Sequence, residues 1–211
     1  MTDKIIVNQQ SSIKITSAKT VYFDPFGITG APHDADVIFI THEHYDHFSL
    51  EDISKAANGS TVYAAPKTML TAMKKAGISE NRTTFLEPGN TTEVCGITVE
   101  AVSAYNRLKP FHPRRNNWLG YVVTIEGKRL YICGDTDDTP EAEAVKCDII
   151  FVPIGGTFTM NARSAAELVN AVKPEIAIPI HFGTLVGKKS DADTFEKLVS
   201  SSIKVIRKIP L

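Results

Sequence analysis

The chain has 211 residues, 43% hydrophobic and 22% charged, a composition that excludes intrinsic disorder at a length sufficient to bury a sizeable core. Lys+Arg 23 against Asp+Glu 24 gives a formal net charge of -1, which excludes the basic excess of a general electrostatic nucleic-acid binder. Three scattered cysteines, Cys95, Cys133 and Cys147, form no C-x-x-C pair, so neither a disulfide framework nor a thiolate zinc site is expected.

Short β-branched or alternating runs at residues 4–7, 12–16 and 20–23 predict strands separated by polar residues. Residues 37–40, Val-Ile-Phe-Ile, form a continuous apolar run, the pattern of a strand buried on both faces. A helix is predicted over 50–57, with Ser49 as N-cap and Asp52 as the capping-box acid. A strand at 61–64 leads to a helix over 67–76, begun by Pro66 and stopped by Gly77. Strands follow at 83–86, 91–94 and 97–102. Residues 107–117, RLKPFHPRRNN, carry two prolines and four basic residues without an apolar period, and read as a long loop of the kind that often carries function.

The second half repeats the alternation. Residues 119–125 and 129–133 predict a hairpin turned at Glu126-Gly127, and 148–153 a buried strand. A helix over 162–172 places Ala165, Ala166, Val169 and Val172 on one stripe; a strand at 176–179, a helix over 191–199 and a strand at 204–206 complete the chain. Strands with interspersed helices in two halves predict an α/β layered fold of two sheets flanked by helices. With no repeat, low-complexity tract or linker, one domain over 1–211 is expected. No apolar window reaches 18 residues and residues 1–10 lack a signal-peptide plan, so the expectation is a cytoplasmic protein without a membrane partner.

Histidine is unevenly distributed: three of the six fall between His42 and His47. The segment Thr41-His42-Glu43-His44-Tyr45-Asp46-His47 follows the apolar strand, and side chains at the carboxyl end of a buried strand face the cleft where ligands bind in α/β folds. Imidazoles and carboxylates are ligands that zinc and similar divalent ions prefer. The spacing is not H-E-x-x-H, because Asp46 stands four positions after His42. Two further strand ends carry ligand types: Asp135 in Gly134-Asp135-Thr136 and His181 in His181-Phe182-Gly183. No G-x-S-x-G nucleophile elbow occurs.

THEHYDH at 41–47, GDT at 134–136 and HFG at 181–183 resemble the metallo-β-lactamase superfamily of metal-dependent hydrolases, and within it the small ascorbate-6-phosphate lactonase-like branch. The resemblance spans about 21–185 and implies a four-layer αββα sandwich of two sheets between helices. It implies that His42 and His44 bind one metal, that Asp46, His47 and His181 bind a second, and that Asp135 bridges them. Asp24, before Pro25, matches an acid that orients a ligand histidine. The family's third imidazole for the first metal is missing from the matching stretch, Ala101 to Asn106. Three readings stay open: His112 folds back from the long loop, Tyr105 or Asn106 supplies an oxygen, or the first site is empty or loosely filled. His33 has no assigned role.

One or two divalent ions per chain are therefore expected, zinc first, with manganese, iron or nickel admitted by a carboxylate-rich set. An ion with an open position lowers the pKa of bound water to about 7, providing a metal-bound hydroxide that attacks a carbonyl or phosphoryl centre. Asp46 and Asp135 are the candidate catalytic carboxylates, orienting the nucleophile and shuttling a proton. The partner implied is a small molecule. Lys109, Arg114 and Arg115 around His112, with Tyr105 and Asn106, suggest an anionic lactone or phosphoester, and residues 155–160 are expected to form the opposite lip of the pocket. The alternative is a non-hydrolytic metal- or ligand-binding protein on the same fold.

Overall fold

The computed structural model describes residues 1–210. Six strands form the first sheet in sequence order: β1 (Ile5–Val7), β2 (Ile13–Thr16), β3 (Thr20–Phe23), β4 (Val37–Phe39), β5 (Val62–Pro66) and β6 (Thr83–Leu86). The second sheet comprises β7 (Thr91–Val94), β8 (Ile97–Ser103), β9 (Leu119–Ile125), β10 (Lys128–Ile132), β11 (Ile149–Pro153), β12 (Ile176–Ile180) and β13 (Lys204–Val205), in spatial order β13-β12-β11-β10-β9-β8-β7. Five helices accompany them: α1 (Leu50–Ala56), α2 (Leu70–Lys75), α3 (Pro140–Glu143), α4 (Ala162–Val172) and α5 (Asp191–Leu198). Both sheets are mixed. β3 to β6 run parallel behind an antiparallel β1-β2-β3 edge, and β10 to β13 run parallel beside an antiparallel β7 to β10 meander.

The period-2 alternation of the strands explains the layers. Along β3 and β4, Val21, Phe23, Val37 and Phe39 join the main core between the sheets. Their neighbours Tyr22 and Ile38 instead pack with Ile53 and Ala56 of α1 and Met73 of α2. Strand β11 is buried at every residue, which requires cover on both faces. Helix α4 supplies it with Ala165, Ala166, Val169 and Val172 in the same core. The result is the layered α/β arrangement with helices outside two packed sheets.

Most predicted elements form within one or two residues of expectation. The β9–β10 hairpin turns at Glu126 (φ 50°) and Gly127 (φ 73°), the double left-handed geometry that a two-residue turn requires. The helix expected over 67–76 forms as a 3-10 turn at Lys67–Met69 running into α2, the tighter winding that is frequent at helix ends. The single-turn α3 escapes the sequence pattern, being too short for a period; Thr139 caps it through Ala142 N, with Pro140 at its first position. The three cysteines are free, Cys133 buried and the other two partly so. Among the described residues, no helix is long and apolar enough to cross a membrane.

Ser49 caps α1 as expected, accepting from Asp52 N at 3.3 Å. Asp52 also accepts from Gly27 N (3.1 Å) and Ile28 N (3.0 Å), tying α1 to the loop after β3. Burial alone would raise this carboxyl, but Lys55 and these donors hold it below its ordinary value. Its stabilising contribution is therefore complete above the unfolded carboxyl pKa and lost as pH falls through the lower folded value. Asp52→Asn is expected to cost about 1–2 kcal/mol at pH 7, and urea denaturation should show the gap from wild type closing toward pH 3.

Candidate metal centre

Every ligand-type residue of the cluster lies just past a strand end, except His112. Asp24 follows β3, the 41–47 segment follows β4, Asp135 follows β10 and His181 follows β12. Tyr121 of β9 donates its hydroxyl to Ile40 O at 2.7 Å, fastening the first sheet to the second beside the cluster. Two close approaches depend on glycine. A Cβ on Gly134 would stand 2.9 Å from Leu119 O, and one on Gly155 would stand 2.3 Å from His181 O. Three of the eight left-handed non-glycine residues among those described, Gln10, Asp24 and His181, gather here. Such strain persists where the surroundings fix the backbone, commonly at functional sites.

The side chains form three overlapping groups whose ligand atoms lie within 4.8 Å of one another: His42, His44 and His112; His42, His47 and Asp135; and Asp46, His47 and His181. Asp135 stands between them. Its Oδ1 is 3.3 Å from His47 Nε2, and its Oδ2 is 3.4 Å from both His112 Nε2 and His181 Nε2. Asp46 Oδ2 lies 3.2 Å from His181 Nε2 and 3.6 Å from His47 Nε2.

Those atoms supply a test of fit for a metal. His47 Nε2, His112 Nε2, both ring nitrogens of His181 and Asp135 Oδ1 are buried and have no hydrogen-bond partner. Buried polar atoms are rarely left unpaired, and an ion is a standard reason. Two ligands held at about 2.0–2.1 Å on one tetrahedral zinc stand about 3.4 Å apart, which matches the 3.2–3.6 Å separations. The residues present therefore fit one or two divalent ions.

The surrounding hydrogen bonds select the tautomers. Asp24 Oδ2 accepts from His47 Nδ1 (2.7 Å) and Thr41 Oγ1 (2.6 Å), while its Oδ1 accepts from Thr41 N (2.8 Å). Having given its proton to Asp24, the Thr41 hydroxyl accepts from His42 Nδ1 at 3.0 Å. One buried carboxylate thus turns Nε2 of both His42 and His47 toward the cluster as lone pairs. Burial, then the charge of His47, pushes His42 well below its ordinary pKa, keeping it neutral as a ligand must be. Burial opposes the charge on His47 too, but Asp135 and Asp24 override it and push that imidazole up, so a metal at Nε2 would take the place of a proton held there. Burial would raise Asp135, yet His181 and His47 hold it well below the usual carboxylate range. Asp24→Asn is expected to weaken metal binding about 10–100-fold, measured by competition with a chromogenic chelator.

His112 folds back from the long loop to meet His42 and His44. Its Nδ1 donates to Asn106 Oδ1 at 3.0 Å, leaving Nε2 free, and its carbonyl accepts from Asn106 N at 2.7 Å. Asn106 is in turn tied down: its Nδ2 donates to Phe158 O (2.9 Å) and Asp137 Oδ1 (3.3 Å). Asp137 also takes Arg107 N (3.0 Å) and the Lys109 ammonium, which reaches Thr159 O at 2.7 Å. Among the three sequence readings, the geometry brings His112 into the gap, makes Asn106 its support and turns Tyr105 away toward Glu141, 2.9 Å from its hydroxyl.

A cavity of about 300 Å³ opens over the cluster, and Phe158 of the 155–160 segment is on its wall. Arg114 and Arg115 do not line it. Arg114 pairs with Glu141 at 2.6 Å and lies over the Tyr105 ring, while Arg115 borders a separate depression with Glu43 and Thr68. Lys109 and Arg114 are thus drawn to neighbouring acids, and no basic side chain of this loop lines the cavity. His33 is exposed, its Nδ1 near Ala57 O at 2.8 Å. Sequence reasoning missed Thr41, Gln10 and Trp118. The Trp118 ring packs within 5.4 Å of His42, His44 and His112. Thr41 was in plain view inside the motif, whereas Gln10 and Trp118 carry no local signal.

Comparison with known proteins agrees with this architecture. The sequence profile described as the Beta-lactamase superfamily domain matches residues 15–182. A UPF0173 metal-dependent hydrolase from Thermoplasma acidophilum is 32% identical over 210 residues, covering 94% of this chain and 91% of its own. A crystal structure from Parabacteroides distasonis, assigned as a metal-dependent hydrolase, superposes with TM-score 0.80 at 30% identity, covering 97% of this chain and 91% of that one. The metallo hydrolase Igni18 from Ignicoccus hospitalis shares the fold at 18% identity, with TM-score 0.77 over 98% of this chain and 94% of its own. Sequence, sheet order and a histidine–aspartate cluster suited to metal thus converge: this chain belongs to the beta-lactamase superfamily, among its UPF0173 metal-dependent hydrolases.

Proposed function

We propose that this protein hydrolyses a small molecule at a carbonyl or phosphoryl centre, a lactone or phosphoester bond being the type case. His42, His44 and His112 would hold one divalent ion, and Asp46, His47 and His181 a second, with Asp135 between them. The observation that carries this reading is the set of buried, partnerless nitrogen and oxygen atoms converging from three strand ends and one loop. A divalent ion there, zinc first with manganese, iron or nickel admitted by the same donors, supplies Lewis acidity and acidifies water to a pKa of about 7.

The chain's own groups perform the rest. Asp24 and Thr41 fix two imidazoles and Asn106 a third, so the donor set needs no rearrangement during turnover. Burial would raise Asp46, but His181 and His47 hold it below its ordinary value, so it is ionised and able to accept a proton from water. With 12% of its side chain exposed against 3% for Asp135, Asp46 is the carboxylate that exchanges protons with solvent. We assign the reducing cytoplasm as the setting, consistent with three unpaired cysteines.

The test is metal content per chain, followed by a panel of lactones, phosphodiesters and thioesters with zinc, manganese and iron. Two bound ions and turnover of one class are expected. Absence of bound metal under every loading condition would overturn the reading, and a loaded centre that turns over nothing would favour the non-hydrolytic alternative.

A further inference from the structure

Three features of the cavity play no part in holding metal. The first is its rim. Tyr45, Phe111 and Leu185 are exposed by 67%, 42% and 49%, and all three line this one cavity, with Phe158 and Val186 beside them. Phe111 meets Phe158 edge to face at 4.7 Å, and Tyr45 meets Phe26 in the same way at 6.1 Å, so the rim is already assembled. Apolar surface gathered around a cleft is characteristic of ligand sites.

The second feature is charge. No lysine or arginine lines the cavity, and the nearby cations Lys109 and Arg114 are held by Asp137 and Glu141. An anionic group remote from the reacting bond would meet no lysine or arginine in the cavity wall.

The third is Gln10, fully buried and part of the cavity wall. Its backbone carbonyl accepts from His181 N at 3.0 Å, and its Oε1 accepts from Thr184 Oγ1 at 3.1 Å. Its Nε2 is buried with no partner. An unpaired buried donor is costly unless an acceptor arrives.

We propose that the cavity takes an uncharged acyl compound, an ester, lactone or amide with an aliphatic or aromatic body. The body lies against Phe111, Phe158, Leu185 and Tyr45, and the Gln10 amide, turned toward the cavity, donates from Nε2 to a neutral oxygen of the substrate. The proposal rests on the hydrolase reading above and narrows its substrate, favouring carboxyl derivatives over phosphoesters.

The test compares three esters of one leaving group on the zinc-loaded full chain: p-nitrophenyl acetate, p-nitrophenyl hexanoate and the mono-p-nitrophenyl ester of adipic acid. Each buried methylene is worth about fourfold, so kcat/KM for the hexanoate should exceed that for the acetate by at least about tenfold, while the anionic adipate ester should not exceed the acetate. Phe111→Ser with Leu185→Ser should collapse the hexanoate-to-acetate ratio. Gln10→Leu should lower the hexanoate constant about tenfold while leaving that ratio in place. Equal constants for acetate and hexanoate, or preference for the adipate ester, would overturn the proposal. If no ester is cleaved, carboxyl-ester hydrolysis fails and binding decides the subsite. The neutral fluorophore N-phenyl-1-naphthylamine should brighten on the metal-free chain and lose that signal in the Phe111→Ser, Leu185→Ser variant. No brightening with the wild-type chain overturns the apolar subsite.

Discussion

Asp135→Asn is expected to cost on the order of a thousandfold in kcat/KM and at least one bound ion per chain. The size follows from its position. Its two oxygens face His47, His112 and His181 at 3.3–3.4 Å, so it borders both candidate ion positions. It is 4% exposed, and burial would favour its neutral form were His181 and His47 not holding it ionised. An amide of the same shape would remove the negative charge from between the two proposed ion positions and replace one oxygen by a donor facing imidazole nitrogens. Elemental analysis per chain, with circular dichroism to confirm the fold, separates this from unfolding. Retention of two ions at wild-type affinity would remove Asp135 from its bridging role.

His112→Ala should reduce two ions to one, leaving the group of Asp46, His47 and His181 loaded. Activity should fall about a hundredfold, since the first ion would keep only His42 and His44 with the shared carboxylate. Asn106→Leu extends the argument through the tautomer. Without the acceptor at Nδ1, His112 no longer has a fixed proton position, and first-site affinity should fall about 10–100-fold. Metal titration monitored with cobalt absorption would resolve the two steps. A stoichiometry of two in His112→Ala would show that the first site is complete without this imidazole.

Much of the fold was legible because its signals are local. The all-apolar run before His42 predicts a strand covered on both faces, and β4 is one. Ser49 and Asp52 mark the start of α1 three residues apart. The four ligand types of 41–47 were legible for the same reason, a spacing that a strand end turns into a cleft. Features set by tertiary contact were hidden. Nothing in the sequence around Gln10 separates it from an ordinary polar turn, and its place in the cavity arises only when the β1–β2 loop meets His181. Arg114 and Arg115 read as an anion site because the sequence does not reveal Glu141 waiting 2.6 Å from Arg114. Asn106 read as an oxygen ligand, or as part of the substrate site, whereas the structure uses that oxygen to orient the imidazole six residues on.

The manner in which His112 is held gives the two ion positions different escape routes. His47, Asp135 and His181 project from the ends of strands whose apolar residues lie in the common core, so these ligands share its rigidity. His112 arrives on a loop whose attachment is polar: Asn106 on Phe158 O and Asp137, and Lys109 on Asp137 and Thr159 O. Such a segment opens at a fraction of the free energy of global unfolding. The consequence is an asymmetry in exchange. An ion at the proposed first position would exchange faster, since His112 can withdraw during brief excursions of residues 107–113, than one at the second, whose strand-end ligands are held by the core.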